Sequence, residues 1–206
     1  PKTPKGPFRI GQFRKIHDHR ARLQYLRTRT DVQEIAAGSS RIVFFVNNKK
    51  QVLKVGMWQR GKAQNRTEYQ ATFCGNPKYL PKMFAKAADF SWILVESVNP
   101  MKSAREFERA TGFPIRALEL GINFRGKEMQ RRPDSDRTKK KWAKIYKAMS
   151  KIPWFVGLVN MAINCDLVAG DLGKWDSWGI TKRGRVVLVD YGLTEAVWDK
   201  YYARSS

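Results

Sequence analysis

The chain has 206 residues, with 40 Lys and Arg against 18 Asp and Glu, and so a formal net charge of +22. Seven Trp, seven Tyr and eleven Phe in a composition that is 42% hydrophobic require a buried core and exclude a disordered chain. The longest mostly apolar stretch, 153–163, falls well short of the roughly 20 residues needed to span a membrane as a helix.

The charge is unevenly placed. Residues 1–30 carry nine bases and one acid, and residues 123–151 carry eleven and three, whereas residues 152–206 are balanced at six and six. Two segments thus hold 16 of the 22 excess charges, and a polyanion is their natural partner, because each neutralised phosphate releases counterions. No leader-like segment opens the chain. The two cysteines, Cys74 and Cys165, are expected as buried small hydrophobes without a disulfide, in a reducing, cytosol-like compartment.

In chain order, three prolines in Pro1–Pro7 predict an extended arm, followed by a helix within 16–26. Arg41–Val46 and Gln51–Val55 are rich in β-branched and aromatic residues and flank Asn47–Lys50, the pattern of a hairpin. A helix over Ala63–Cys74 is closed by Gly75 and Pro77. Lys82–Ala88 and Trp92–Val98 predict a second hairpin about Asp89-Phe90-Ser91. From Ser103 the pattern turns helical. Lys139–Ile152 places Trp142, Ile145, Met149 and Ile152 on one face with lysines opposite, and Trp154–Cys165 is apolar nearly all round. A third hairpin joins Trp178–Thr181 to Val186–Val189. Strands, then helices, then a late hairpin make an α+β chain: a basic arm and helix at 1–30, a sheet lobe with one helix at 31–98, and a helical lobe at 99–206.

Four places carry possible chemistry. Ala36–Val43 enters the first hairpin in the register of a glycine-rich phosphate loop, keeping only Gly38 and placing Ser39 and Ser40 where they could touch phosphate. Lys54, within the apolar run Val52–Val55, must bury its stem and find an anion unless it faces solvent from an edge strand. Glu68, fourteen residues on, could pair with it. Asp171 follows the apolar helix, where a proton acceptor could reach a substrate hydroxyl, and Asp190 ends the run Val186–Val189, where a carboxylate could hold magnesium over phosphates. His17 and His19 lack the surrounding ligands of a metal site.

On these residues the chain resembles the protein-kinase-like fold, and more narrowly the small kinase-like proteins of tailed bacteriophages. The resemblance runs over roughly 31–194 and rests on Val52-Leu53-Lys54-Val55, on Gly61-x-x-Gln64-Asn65-x-x-Glu68, on the hinge-like Trp92–Glu96, and on Asp190-Tyr191-Gly192-Leu193 in place of Asp-Phe-Gly. It implies a small antiparallel sheet lobe and a truncated, mostly helical second lobe. It implies that Lys54 contacts nucleotide phosphates, Glu68 orients it, and the backbone of Glu96–Val98 meets adenine. Asp171 would be the catalytic base, with Asp176 and Asp190 on Mg²⁺ and ATP as the cofactor. The chain departs from that pattern at Ala169-Gly170, which precede the base in place of His-Arg, and at Lys174, one position beyond the expected lysine. With 13 residues after Leu193, no activation segment is expected.

Two functions from different classes follow. One is an ATP- and magnesium-dependent phosphotransferase. The other is a catalytically inactive kinase-like phage module, structural or nucleic-acid-binding, that docks a polyanion or an acidic protein surface through 1–30 and 123–151. Either is expected in the host cytoplasm or with the virion, against a host or virion protein, and not in a membrane.

Overall fold

The computed structural model describes residues 6–130 and 136–203, so most of the arm expected over Pro1–Pro7 lies outside the described residues. The protein is α+β and divides into two compact units, one of Pro1–Arg66 with Lys82–Ser97 and one of Thr67–Pro81 with Val98–Ser206.

The first unit opens with two short helices, α1 (Ile10–Arg14) and α2 (His19–Arg27), where one helix over 16–26 was expected. Helix α1 lies ahead of the expected span, and α2 starts three residues into it, just after Asp18, whose carboxylate caps the helix by accepting from the Ala21 amide at 2.7 Å. The strands β1 (Gln33–Ala37), β2 (Arg41–Val46), β3 (Gln51–Gly56), β4 (Met83–Lys86) and β5 (Trp92–Glu96) form one antiparallel sheet in the order β1-β2-β3-β5-β4. The expected first hairpin is β2–β3. Its turn places Asn47, Asn48 and Lys49 at positive φ, a region that asparagine tolerates best among non-glycine residues.

One face of the sheet carries Phe44, Leu53, Val55, Trp92 and Leu94, which form a core with Phe8, Phe13 and Leu26. The segment 6–30 is therefore no separate arm: its aromatic residues fold onto the sheet, Phe13 edge-on to Trp92 at 5.5 Å between centroids. Each large apolar side chain so buried contributes about 1.5–3 kcal/mol against exposure. Arg22 is buried beside them, its Nε donating to the Ile16 carbonyl and one guanidinium nitrogen to Ser91 Oγ, each at 2.6 Å. Burial lowers its pKa, which the nearby charges of Asp89 and Asp18 oppose.

Helix α3 (Trp58–Cys74) runs from the first unit into the second and starts five residues before the expected Ala63. Beyond β5 the chain does not continue as one strand to Val98. It breaks at Ser97, and β6 (Val98–Pro100) starts a second antiparallel sheet with β7 (Trp178–Thr181) and β8 (Val186–Leu188), in the order β6-β7-β8.

The second unit adds α4 (Ala104–Thr111), α5 (Ile115–Gln130), α6 (Asp136–Met149), α7 (Pro153–Asn164), the single turn α8 (Ala169–Leu172) and α9 (Glu195–Tyr201). Its core gathers Phe107, Phe113, Phe155, Leu158, Trp178 and Tyr191. Helix α6 packs Ile145, Tyr146 and Met149 against this core and leaves Lys140, Lys141, Lys144 and Lys147 exposed, as the helical period predicts. Among the described residues, no helix is long and apolar enough to cross a membrane.

The expectation of no disulfide is overturned, although Cys165 is buried in the core as expected. Cys74, at the end of α3, is joined by a disulfide to Cys165, which caps α7, across 91 residues of sequence. Cys74 is exposed rather than buried. Two isolated cysteines in a composition carry no distance information, and only the fold brings their Cα atoms to 5.5 Å.

Candidate functional site

The candidate residues fall in both units. Gly38, Ser39, Ser40, Lys54 and Glu96 belong to the first, and Glu68, Val98, Asp171, Asp176 and Asp190 to the second.

Lys54 occupies β3, a central strand between β2 and β5, and is 6% exposed. It is no edge lysine facing solvent. Its neighbours Leu53 and Val55 enter the core shared with α1 and α2, so strand alternation turns Lys54 to the opposite face. A lysine so buried keeps its charge only where polar groups compensate the lost hydration.

The turn from β1 to β2 is built differently from a glycine-dependent phosphate loop. The Gly38 amide donates to the Arg41 carbonyl at 2.9 Å, and a Cβ at Gly38 would stand 3.7 Å from the nearest atom, so the position accepts other residues. Ser40 is buried, and its hydroxyl donates to Gln64 Oε1 at 2.7 Å. The Ser39 carbonyl accepts from Arg60 at 2.6 Å. Helix α3 comes in closely enough that a Cβ on Gly61 would lie 2.0 Å from the Ser40 carbonyl oxygen. No side chain fits there.

The pattern Gly61-x-x-Gln64-Asn65-x-x-Glu68 thus has a physical content. The four residues recur at helical spacing along one buried face of α3. Gly61 permits the approach, Gln64 takes the Ser40 hydroxyl, and Asn65 donates to the Phe90 carbonyl at 2.9 Å. Glu68 is fully buried. Glu96 ends β5, where its amide donates to the Lys82 carbonyl at 2.7 Å and its carboxylate accepts from the Lys82 amide at 3.2 Å. Val98 pairs with Thr181 in the second sheet.

In the second unit one carboxylate, Asp171, meets a lysine. Asp171 stands in α8, whose entry is fixed by a bridge between Leu167 and Thr194 and whose exit is fixed by Trp178, its indole donating to the Leu172 carbonyl at 2.9 Å. The Asp171 Oδ1 accepts from Lys174 Nζ at 2.6 Å. That hydrogen bond raises the Lys174 pKa against the opposing effect of burial, and the charges of Asp171, Asp176 and Asp190 raise it further. Asp176, in a 3-10 turn over Trp175–Ser177, and Asp190, two residues past β8, are both exposed. Tyr191 and Gly192 beside Asp190 are buried. Among the described residues, no three His, Cys, Asp or Glu side chains gather into one cluster that could hold a metal ion by protein ligands alone.

Sequence spacing marks Lys174 as a displaced lysine, and the fold makes it the partner of Asp171. The three-residue separation within a helical turn was the available signal. Glu119 of α5 was not singled out. Its Oε2 would lie 3.0 Å from a Cβ on Gly173, next to the Asp171 turn, and no local pattern marks it.

Compared with models of protein families and with curated protein sequences, the chain matches none of them.

Proposed function

We propose that the chain is a kinase-like, ATP- and magnesium-dependent phosphotransferase of atypical type. The observation that carries this reading is the Asp171 carboxylate, held by Lys174 Nζ at 2.6 Å in the single turn that follows the apolar helix α7. It is supported by the buried Lys54 on the third strand of an antiparallel sheet and by the buried Glu68 on the helix that follows, the order a kinase site requires.

Asp171 accepts the proton of the attacking hydroxyl, whose oxygen bonds to the γ-phosphorus as the bond to the ADP oxygen breaks. Lys174 steers the Asp171 carboxylate from 2.6 Å and stays protonated. Lys54 supplies a cation for the nucleotide phosphates, Ser39 lies in the turn before β2, and the Glu96–Val98 backbone meets the adenine. Asp176 and Asp190 offer surface carboxylate oxygens, the hard donors that magnesium takes one or two at a time when phosphates complete its shell, so these two would hold Mg²⁺. The ion would neutralise charge on the transferring phosphoryl group.

The test is incubation with labelled ATP and Mg²⁺. Transfer to the protein or an added acceptor is expected, with Asp171→Asn lowering its rate by about 10²–10⁴-fold, the range for loss of a general base. No transfer and no nucleotide-dependent rise in melting temperature would sink the reading.

One observation favours a second role. The exposed lysines of α6 form a cationic face suited to nucleic acid. A kinase-like phage module that binds nucleic acid, in the host cytoplasm or with the virion, would use this face whether or not it transfers phosphate.

A further inference from the structure

Beside α1, at the edge of the sheet face that it covers, a cavity of about 670 Å³ opens, lined among the described residues by residues of the first unit. Its volume is within the range of roughly 300–1,000 Å³ usual for small-molecule sites. The cavity lies on the face that carries Leu94 and Phe8, opposite the face to which Lys54 turns, so it is not part of the phosphotransfer site proposed above.

Its chemistry is divided. Phe8 and Leu94 lie beneath its floor, 5% and 4% exposed, and the apolar surface it presents comes from Phe84, 43% exposed, and the half-buried Ile10. At the rim stand the exposed guanidinium groups of Arg9 and Arg14. The remaining polar lining is amide, from Gln12, Asn47 and Gln51, and no carboxylate among the described residues lines the cavity. An apolar wall accepts hydrocarbon or an aromatic ring, and two arginines above it select an anionic head, since guanidinium pairs with carboxylate and phosphate through parallel hydrogen bonds.

We propose that this cavity binds a small amphipathic anion, an apolar body bearing one carboxylate or phosphate, seated on Phe84 and Ile10 with its head at Arg9 and Arg14.

Titration calorimetry of the intact protein with dodecanoate, dodecyl phosphate and the uncharged dodecyl maltoside, each below its micelle concentration, tests this. At least one anion should bind at least tenfold more tightly than the maltoside. A preference for carboxylate points to a fatty-acid-like ligand, and a preference for phosphate to a phosphorylated lipid; either supports the site. Arg9→Gln with Arg14→Gln should remove the preference. Gly11→Trp should abolish binding without disturbing the fold, because Gly11 lines the cavity and a Cβ there meets nothing within 4 Å. Lys182→Gln with Arg183→Gln removes equal charge from an exposed turn elsewhere and should leave this binding unchanged, and circular dichroism checks that every variant is folded. Equal affinity for the anions and the maltoside, no binding at all, or binding that survives Gly11→Trp in a folded protein would each overturn the proposal.

Discussion

Asp89 sits in the turn between β4 and β5 with its side chain 55% exposed, yet it holds three separate donors. Lys62 Nζ reaches it at 2.7 Å, Ser91 Oγ at 2.7 Å and the Ser91 amide at 3.1 Å, while Ser91 in turn accepts from the buried Arg22. Burial pushes the Asp89 carboxyl up. The hydrogen bonds from Lys62 and Ser91, with the Lys62 charge, outweigh it and hold the group well below the usual carboxylate range. A carboxyl depressed in the folded state stabilises the fold above its unfolded pKa, and that contribution is lost as pH falls through the folded value. Denaturant midpoints should therefore fall as the pH is lowered below about 4, and Asp89→Asn should flatten that part of the profile. Equal pH dependence in the two proteins would show that Asp89 carries none of the acid sensitivity. The exposure and salt screening of the Lys62 pair keep the effect small.

Elements were legible in proportion to their patterning. The hairpin β2–β3 is rich in strongly β-forming residues, α6 carries a helical period and α7 an almost unbroken apolar run after Pro153, so their presence follows from residue order, although α6 spans Asp136–Met149 rather than 139–152. Strand β1 could not be read. All five of its residues are exposed, so Gln33–Ala37 shows no alternation, and only its pairing with β2 makes it a strand. The basic face of α6 belongs to the legible class and makes a quantitative prediction. If it binds duplex DNA, log affinity should fall linearly with log salt. Lys144→Gln with Lys147→Gln should then make the slope shallower by about two, since each neutralised phosphate accounts for about 0.9. Fluorescence anisotropy of a labelled duplex across a salt series measures this. An unchanged slope would assign DNA binding to another part of the chain.

Over the whole molecule the disulfide is the clearest case of a feature that composition could not supply. It ties the end of α3 to the cap of α7, from which the chain runs directly to the Asp171 turn. Closing so long a loop in the unfolded chain stabilises the fold by about 2–4 kcal/mol. Cys74→Ser, or reductant added to the native protein, should lower the unfolding free energy by that amount, and the two treatments together should do no more than either alone. A midpoint indifferent to reductant would mean that the bond adds no stability. By itself the sequence determined the α+β class, the order of most strands and helices, and the position of the basic segments, because periodicity and residue type are local properties. Only the tertiary structure decided that Lys54 lies on a central strand, that Phe8 and Phe13 fold onto the sheet, that Lys174 grips Asp171, and that Cys74 meets Cys165. Each of these depends on which surfaces the chain buries against one another, and no window of neighbouring residues contains that information.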